Sequence, residues 1–162
     1  MKIQKTNAMR WLDLKKISYN VLTYTYKDGE SPSGMYAAKY HNEPFEQVFK
    51  TIVCKANTNE YLVYMIPATE ELDFKKCAKI AGVKAVELLP LKDLTKVTGY
   101  VRGGTSPIAM KKSFRTFIDA SILNEDSIYF SGGKIGYQIH MKSNDLIQAL
   151  HMVVADLLKS KV

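Results

Sequence analysis

Two β-rich apolar runs, residues 47–55 and 61–66, stand on either side of Asn57-Thr58-Asn59. Asparagine tolerates tight-turn backbone, so the arrangement reads as a hairpin whose second strand lies at the centre of a sheet. In the first run a period of two puts Val48, Lys50, Ile52 and Cys54 on one face and Phe49, Thr51 and Val53 on the other. Lys50 therefore interrupts an apolar face. An unpaired buried ammonium is costly, so this lysine either reaches past a sheet edge into water or sits in a cleft that faces an anion.

The flanking patterns build outward from that hairpin. Ala8, Trp11 and Leu12 share a helical face that ends before Ile17, and Ile17, Tyr19, Val21 and Thr23 then alternate as a strand through Tyr24. Residues 27–34 carry loop breakers, followed by a helix through Ala37 and Ala38. Asp73 can cap a helix over residues 74–81, with Phe74, Cys77, Ala78 and Ala81 on one face and Gly82 closing it. Residues 83–89 and 90–97 read as a short strand and a short helix started by Pro90. Residues 116–119, 127–130 and 137–141 read as strands. Ser143 or Asn144 then caps a closing amphipathic helix containing Leu146, Ile147, Leu150, Val153, Val154 and Leu157.

Hairpins mixed with single helices do not make a regular βαβ alternation. The pattern predicts an α+β (mixed α/β) fold, with a central mixed, largely antiparallel, barrel-like sheet and flanking helices. No repeat or linker divides the chain, so residues 1–162 read as a single domain.

With 46% hydrophobic and 24% charged residues, the composition is that of a globular chain and excludes disorder. Lys2, Lys5, Arg10, Asp13, Lys15 and Lys16 interrupt the opening segment, and no run is apolar enough to span a membrane, so a cytosolic (cytoplasmic) location is expected. The net charge of +7 suits a polyanionic partner as well as it suits an ordinary solvated surface. Cys54 and Cys77 sit in apolar surroundings and read as reduced core thiols. His41, His140 and His151 show no metal-ligand spacing, so no metal is expected.

Gly103-Gly104-Thr105-Ser106-Pro107 and Ser131-Gly132-Gly133-Lys134 put glycines and small hydroxyls where strands should meet turns. Glycine permits positive φ and close approach, so two such turns can aim main-chain N–H groups into one concavity, as a protein does to hold an anionic or carbonyl oxygen. Each is also what a plain turn contains. The second lacks the GK[ST] of a phosphate loop, GxGxxG is absent, and no G-x-S-x-G elbow or Ser/His/Asp set is present. Any catalysis must then rest on positioning and on electrostatic stabilisation of an oxygen by backbone N–H groups and Lys50.

Taken in order, Phe49-Lys50-Thr51, Leu72-Asp73-Phe74-Lys75-Lys76, residues 98–107 from Thr98-Gly99-Tyr100 to Ser106-Pro107, Lys111-Lys112, and residues 128–134 ending in Ser131-Gly132-Gly133-Lys134 resemble the YbaK/EbsC family, part of the prolyl-tRNA-synthetase editing-domain superfamily. The resemblance runs from about Ile17 to about Asp156. It implies a free-standing, cofactor-free aminoacyl-tRNA deacylase. The amino acid removed is expected to be cysteine on tRNA for proline, and possible substrates extend to tRNA for cysteine. A synthetase such as prolyl-tRNA synthetase is a candidate partner. In cysteinyl members the substrate's own thiol attacks its ester carbonyl and leaves as a thiolactone, so no protein nucleophile is needed. The competing reading is a binding module that holds charged tRNA, a synthetase or a small metabolite in the same pocket without cleaving it.

By the same resemblance Lys50 is the essential lysine at the adenosine or ester end, and Tyr24 and Thr51 lie by the pocket. Gly103, Gly104, Thr105 and Ser106 hold the aminoacyl carbonyl through backbone N–H groups, and Ser131, Gly132 and Gly133 form the opposite wall. The chain departs from close YbaK-type relatives at Ile135, where they have arginine, at Ile108-Ala109, and at His140 in place of glutamate. Gln138 stands where an aspartate often lies near the thiol pocket, so alanine or another small amino acid is also an expected substrate.

Overall fold

The computed structural model describes residues 3–25 and 34–161. The central hairpin is β2 (Phe49–Ala56) against β3 (Tyr61–Pro67), antiparallel with Lys50 opposite Ile66 and Cys54 opposite Leu62. Asn59 takes φ +72 in the turn between them, the left-handed conformation that asparagine accepts. β3 continues parallel to β5 (Arg115–Asp119), β5 is parallel to β8 (Val153–Ala155), and β4 (Val86–Leu88) pairs antiparallel with the far end of β2. A second sheet has the order β1 (Asn20–Thr23), β7 (Tyr137–Lys142), β6 (Ser127–Ser131), all antiparallel.

Among the described residues the two sheets are bridged in parallel at Val48 and Tyr129 and do not close. The mixed, largely antiparallel sheet is as expected from the sequence; its barrel-like closure is corrected to two sheets that diverge from the start of β2. One core fills the angle between them, with Met9 and Leu12 of α1 (Asn7–Leu14) packed on Phe49, Ile118, Phe130 and Ile139. A second lies beneath α3 (Phe74–Ala81), where Cys77 and Ala78 meet Cys54, Tyr64 and Phe117. A smaller cluster of Val53, Leu89 and Val97 seats α4 (Leu91–Thr98).

The helix ends follow local chemistry. Asp73 accepts from the Lys75 and Lys76 N–H groups and Gly82 closes α3 at φ +74, as the sequence predicts. Pro90 stands at the cap of α4, and Gly99 ends it at φ +86. The helix through Ala37 and Ala38 is α2 (Gly34–His41), whereas the preceding loop expected over residues 27–34 falls, except for Gly34, outside the described residues.

The expected closing helix is corrected. α5 (Ser143–Ala149) is short; Lys142 holds the cap position, and the Ser143 hydroxyl instead donates to the Glu125 carbonyl at 2.6 Å. His151 then turns the chain at φ +50, and Val153 and Val154 enter the sheet beside Phe117 and Ile118. Paired β-branched residues favour that extended state over another helical turn.

Candidate functional site

The main-chain parity of β2 creates the site. Val48 and Ala56 bond across to the β3 side, through Ala68 N–H to Val48 O at 2.7 Å and Ala56 N–H to Glu60 O at 2.8 Å. Alternation then turns Lys50, Ile52 and Cys54 the same way and sends the N–H and C=O groups of Phe49, Thr51 and Val53 to the opposite edge. On that edge Val53 O accepts from Leu89 N–H at 3.0 Å, after which Pro90 carries the chain away into α4. Between the Tyr129 bridge and Leu89 no strand among the described residues pairs with this edge.

A cavity of about 980 Å³ occupies this gap. Five consecutive strand residues, Phe49 to Val53, line it, because an open edge presents both faces of a strand as well as its backbone. Leu88, Leu89, Leu91 and Leu94 form an apolar wall on the β4–α4 side. Opposite them stand Arg102, Gly103 and Thr105, then Ser131, Ile135, Tyr137 and Gln138, with Tyr24 and Ala37 completing the lining.

Lys50 lies on the open strand edge and lines this cavity. It is half-buried, and among the described residues its ammonium has no hydrogen bond or ion pair. Burial pushes its pKa below the ordinary lysine value, and the Glu71 and Glu70 carboxylates only partly oppose this.

The two glycine turns do meet. A Cβ on Gly104 would lie 3.0 Å from Ile135 N and 3.2 Å from Lys134 C, so the Gly103-Gly104 loop sits directly on the turn after Gly133. Their amides differ from the sequence expectation. Gly104 N–H donates to Val101 O at 2.9 Å, Gly132 N–H to Tyr137 O at 2.9 Å, and Gly133 N–H to the Ser131 hydroxyl at 3.2 Å. These three amides hold the turns in shape. No acceptor among the described residues takes the amides of Gly103, Thr105 or Ser106.

Of the residues singled out from sequence, Tyr24, Lys50, Thr51, Gly103, Thr105, Ser131 and Gln138 line the cavity. Gly104, Ser106, Gly132 and Gly133 lie behind it. Ser106 is fully buried, and its hydroxyl accepts from Ile108 N–H at 3.2 Å. Thr6 caps α1 and donates to Gly132 O at 2.6 Å, tying that helix to the wall.

Glu43 is a participant that the sequence reading missed. It follows α2 and is buried, and its Oε1 accepts from Gln138 Nε2 at 2.9 Å. A carboxyl group therefore stands beside Gln138 although position 138 itself holds an amide. Only the contact reveals it, because Glu43 and Gln138 are remote in sequence. Among the described residues, Glu43 Oε2 and Gln138 Oε1 are both buried without a hydrogen-bond partner. Burial raises the Glu43 pKa, with the Gln138 hydrogen bond and the nearby His41 opposing it.

A Glu43→Gln variant supplies an N–H donor where the carboxylate has none and is expected to be about 1 kcal/mol more stable at neutral pH. A raised carboxyl pKa favours the fold at low pH and penalises it as pH rises through the folded value. The gain should therefore vanish below the ordinary glutamate value of 4.5 and grow above it, read by melting wild type and variant across pH.

Cys54 and Cys77 are buried and unpaired, and burial pushes each thiol up to about 12, so neither provides a nucleophile at neutral pH. Among the described residues no three His, Cys, Asp or Glu side chains gather as a metal site, and no helix is long and apolar enough to cross a membrane.

Residues 35–149 match the aminoacyl-tRNA editing domain model, and the chain belongs to that family. Over 138 residues, covering 85% of this chain and 84% of the relative, it is 41% identical to EbsC of Enterococcus faecalis, named as a candidate Cys-tRNA(Pro)/Cys-tRNA(Cys) deacylase. It is also 29% identical over 96 residues to a proline–tRNA ligase of Brachyspira hyodysenteriae, covering 59% of this chain and 17% of the ligase. Among solved structures, one described as a candidate trans-editing enzyme for prolyl-tRNA synthetase superposes with a TM-score of 0.84 at 16% identity, over 95% of this chain and 96% of the other. At that identity the likeness is one of fold.

Proposed function

We propose that this chain is a free-standing deacylase that clears a small mischarged amino acid from tRNA, with cysteine on tRNA for proline as the leading substrate. The observation that carries the reading is the cavity at the open edge of β2, lined by the glycine turns and by a half-buried lysine with no ion-pair partner among the described residues. In this reading the terminal nucleotide and its ester enter from the surface. Lys50 contacts the ester or the adjoining ribose, and the free amides of Gly103 and Thr105 donate to the carbonyl oxygen as it gains negative charge. Tyr24, Ser131 and Gln138 bound the amino-acid end.

The chemistry needs no enzyme nucleophile. A cysteinyl ester can lose its ribose oxygen to its own sulfur: the S–C bond forms, the C–O bond breaks, the thiol proton leaves, and the ribose hydroxyl recovers a proton. For a non-thiol amino acid, water takes the place of sulfur. Editing is expected for small amino acids because a synthetase pocket separates near-isosteres by only about 1–3 kcal/mol.

The test is ester loss from purified Cys-, Ala-, Ser- and Pro-charged tRNA. Selective loss of the cysteinyl ester from tRNA for proline is the expected result, and selective loss of the alanyl ester would reassign the amino acid. Binding of charged tRNA without loss of any ester would make the chain a binding module.

A further inference from the structure

The uncovered edge of β2 carries a hydrogen-bonding pattern that the ester chemistry does not use. Thr51 C=O and Val53 N–H project to the same side, two residues apart, and no partner among the described residues takes either group. They open onto the apolar half of the cavity, walled by Ile52, Leu89, Leu91 and Leu94. At its rim Leu88 and Leu91 are 57% and 56% exposed.

We infer that this edge is a subsite for the terminal adenine of the charged tRNA. An acceptor followed by a donor along one strand edge complements the adenine N6–H donor and N1 acceptor. Thr51 C=O accepts from N6–H, Val53 N–H donates to N1, and the leucines cover the purine faces. A base unstacked from a single-stranded end is held in this way, by apolar contact on its faces and hydrogen bonds on its edge. Strand edges recognise ligands through the same two groups. The apolar half then takes the base, which leaves the polar half, from Lys50 to Gln138, for the aminoacyl ester.

The inference rests on the editing reading of the same cavity, and inosine separates the two. Inosine has the size and faces of adenosine but presents O6 as an acceptor and N1–H as a donor, so both hydrogen bonds are reversed. Non-cleavable 3′-cysteinylamino-3′-deoxyadenosine and its inosine counterpart would be titrated calorimetrically, and the same amino acid would be loaded on tRNA ending in adenosine or inosine. The inosine probe is expected to bind roughly 10- to 100-fold more weakly, with a matching loss in ester cleavage at sub-saturating tRNA.

Equal affinities, or no binding of either probe, would overturn the adenine subsite. Equal cleavage from both ends would also overturn it while leaving the deacylase intact. Preference for the adenosine probe with no cleavage of either tRNA would keep the subsite and remove the deacylase. Val53→Pro deletes the N–H at a position outside the β3 ladder and should bring the binding ratio toward one, whereas Val53→Ala should keep it. Should the proline variant not fold, the nucleoside comparison still decides.

Discussion

Lys50→Ala is expected to lower ester loss by roughly 10²–10³ while leaving the melting temperature unchanged or slightly raised. The two readouts move apart because of where the lysine lies. Its ammonium is half-buried and has no ion-pair partner among the described residues, so the fold bears its desolvation without a compensating contact. Removing a charge of that kind does not weaken a core. A charge held in a partly dry cavity is, however, far stronger toward a developing oxyanion than one in water, and it needs no reorganisation when the ester reacts. Lys50→Arg is expected to restore little, since a planar fork cannot replace a point charge on a flexible stem within the same walls. Single-turnover ester loss and thermal melting on the same preparations check this. Turnover within tenfold of wild type would remove Lys50 from the reaction, and a fall in activity matched by a fall in stability would make its role structural.

Much of this arrangement can be read from local chemistry. The asparagine turn at Asn57–Asn59 and the Asp73 and Gly82 caps of α3 depend on residues a few positions apart, and each appears where its side chains predict. Leu146, Ile147, Leu150, Val153 and Val154 satisfy a helical period that runs past the true end of α5, where His151 at φ +50 breaks it and β5 offers the valines a ladder. Periodicity does not see a partner strand. The same holds for the cavity: alternation places Lys50 on an apolar face, but that β2 is an edge over residues 49–53 depends on where β4 stops and where β6 meets Val48. Glu43 was missed for a related reason, since its meaning comes only from contact with Gln138 across the fold. The glycine turns were found, but which amides they keep for themselves is set by Val101 O, Tyr137 O and the Ser131 hydroxyl, and no motif encodes that.

Gly104→Ala is expected to cost about 1–3 kcal/mol of stability and to lower ester loss by roughly 10². Gly104 does not have positive φ, so alanine meets no backbone strain there and the whole effect is steric. The added Cβ would stand 3.0 Å from Ile135 N and 3.2 Å from both C and Cα of Lys134. Those are backbone atoms of a turn pinned by Tyr137 N–H to Lys134 O at 3.0 Å and Gly132 N–H to Tyr137 O at 2.9 Å, so the turn cannot rotate aside as a side chain would. The two walls must separate instead, carrying Gly103, Thr105 and Ile135 away from Lys50 across the cavity. Gly82→Ala is the matching control, because its Cβ would meet nothing within 4 Å and the cost comes only from φ +74 at the end of α3. That variant should lose about 1 kcal/mol with its turnover intact. If Gly104→Ala retained full turnover at a temperature where it is folded, the contact between the glycine turns would be a matter of stability alone, and the carbonyl-binding role would pass from that loop to Lys50.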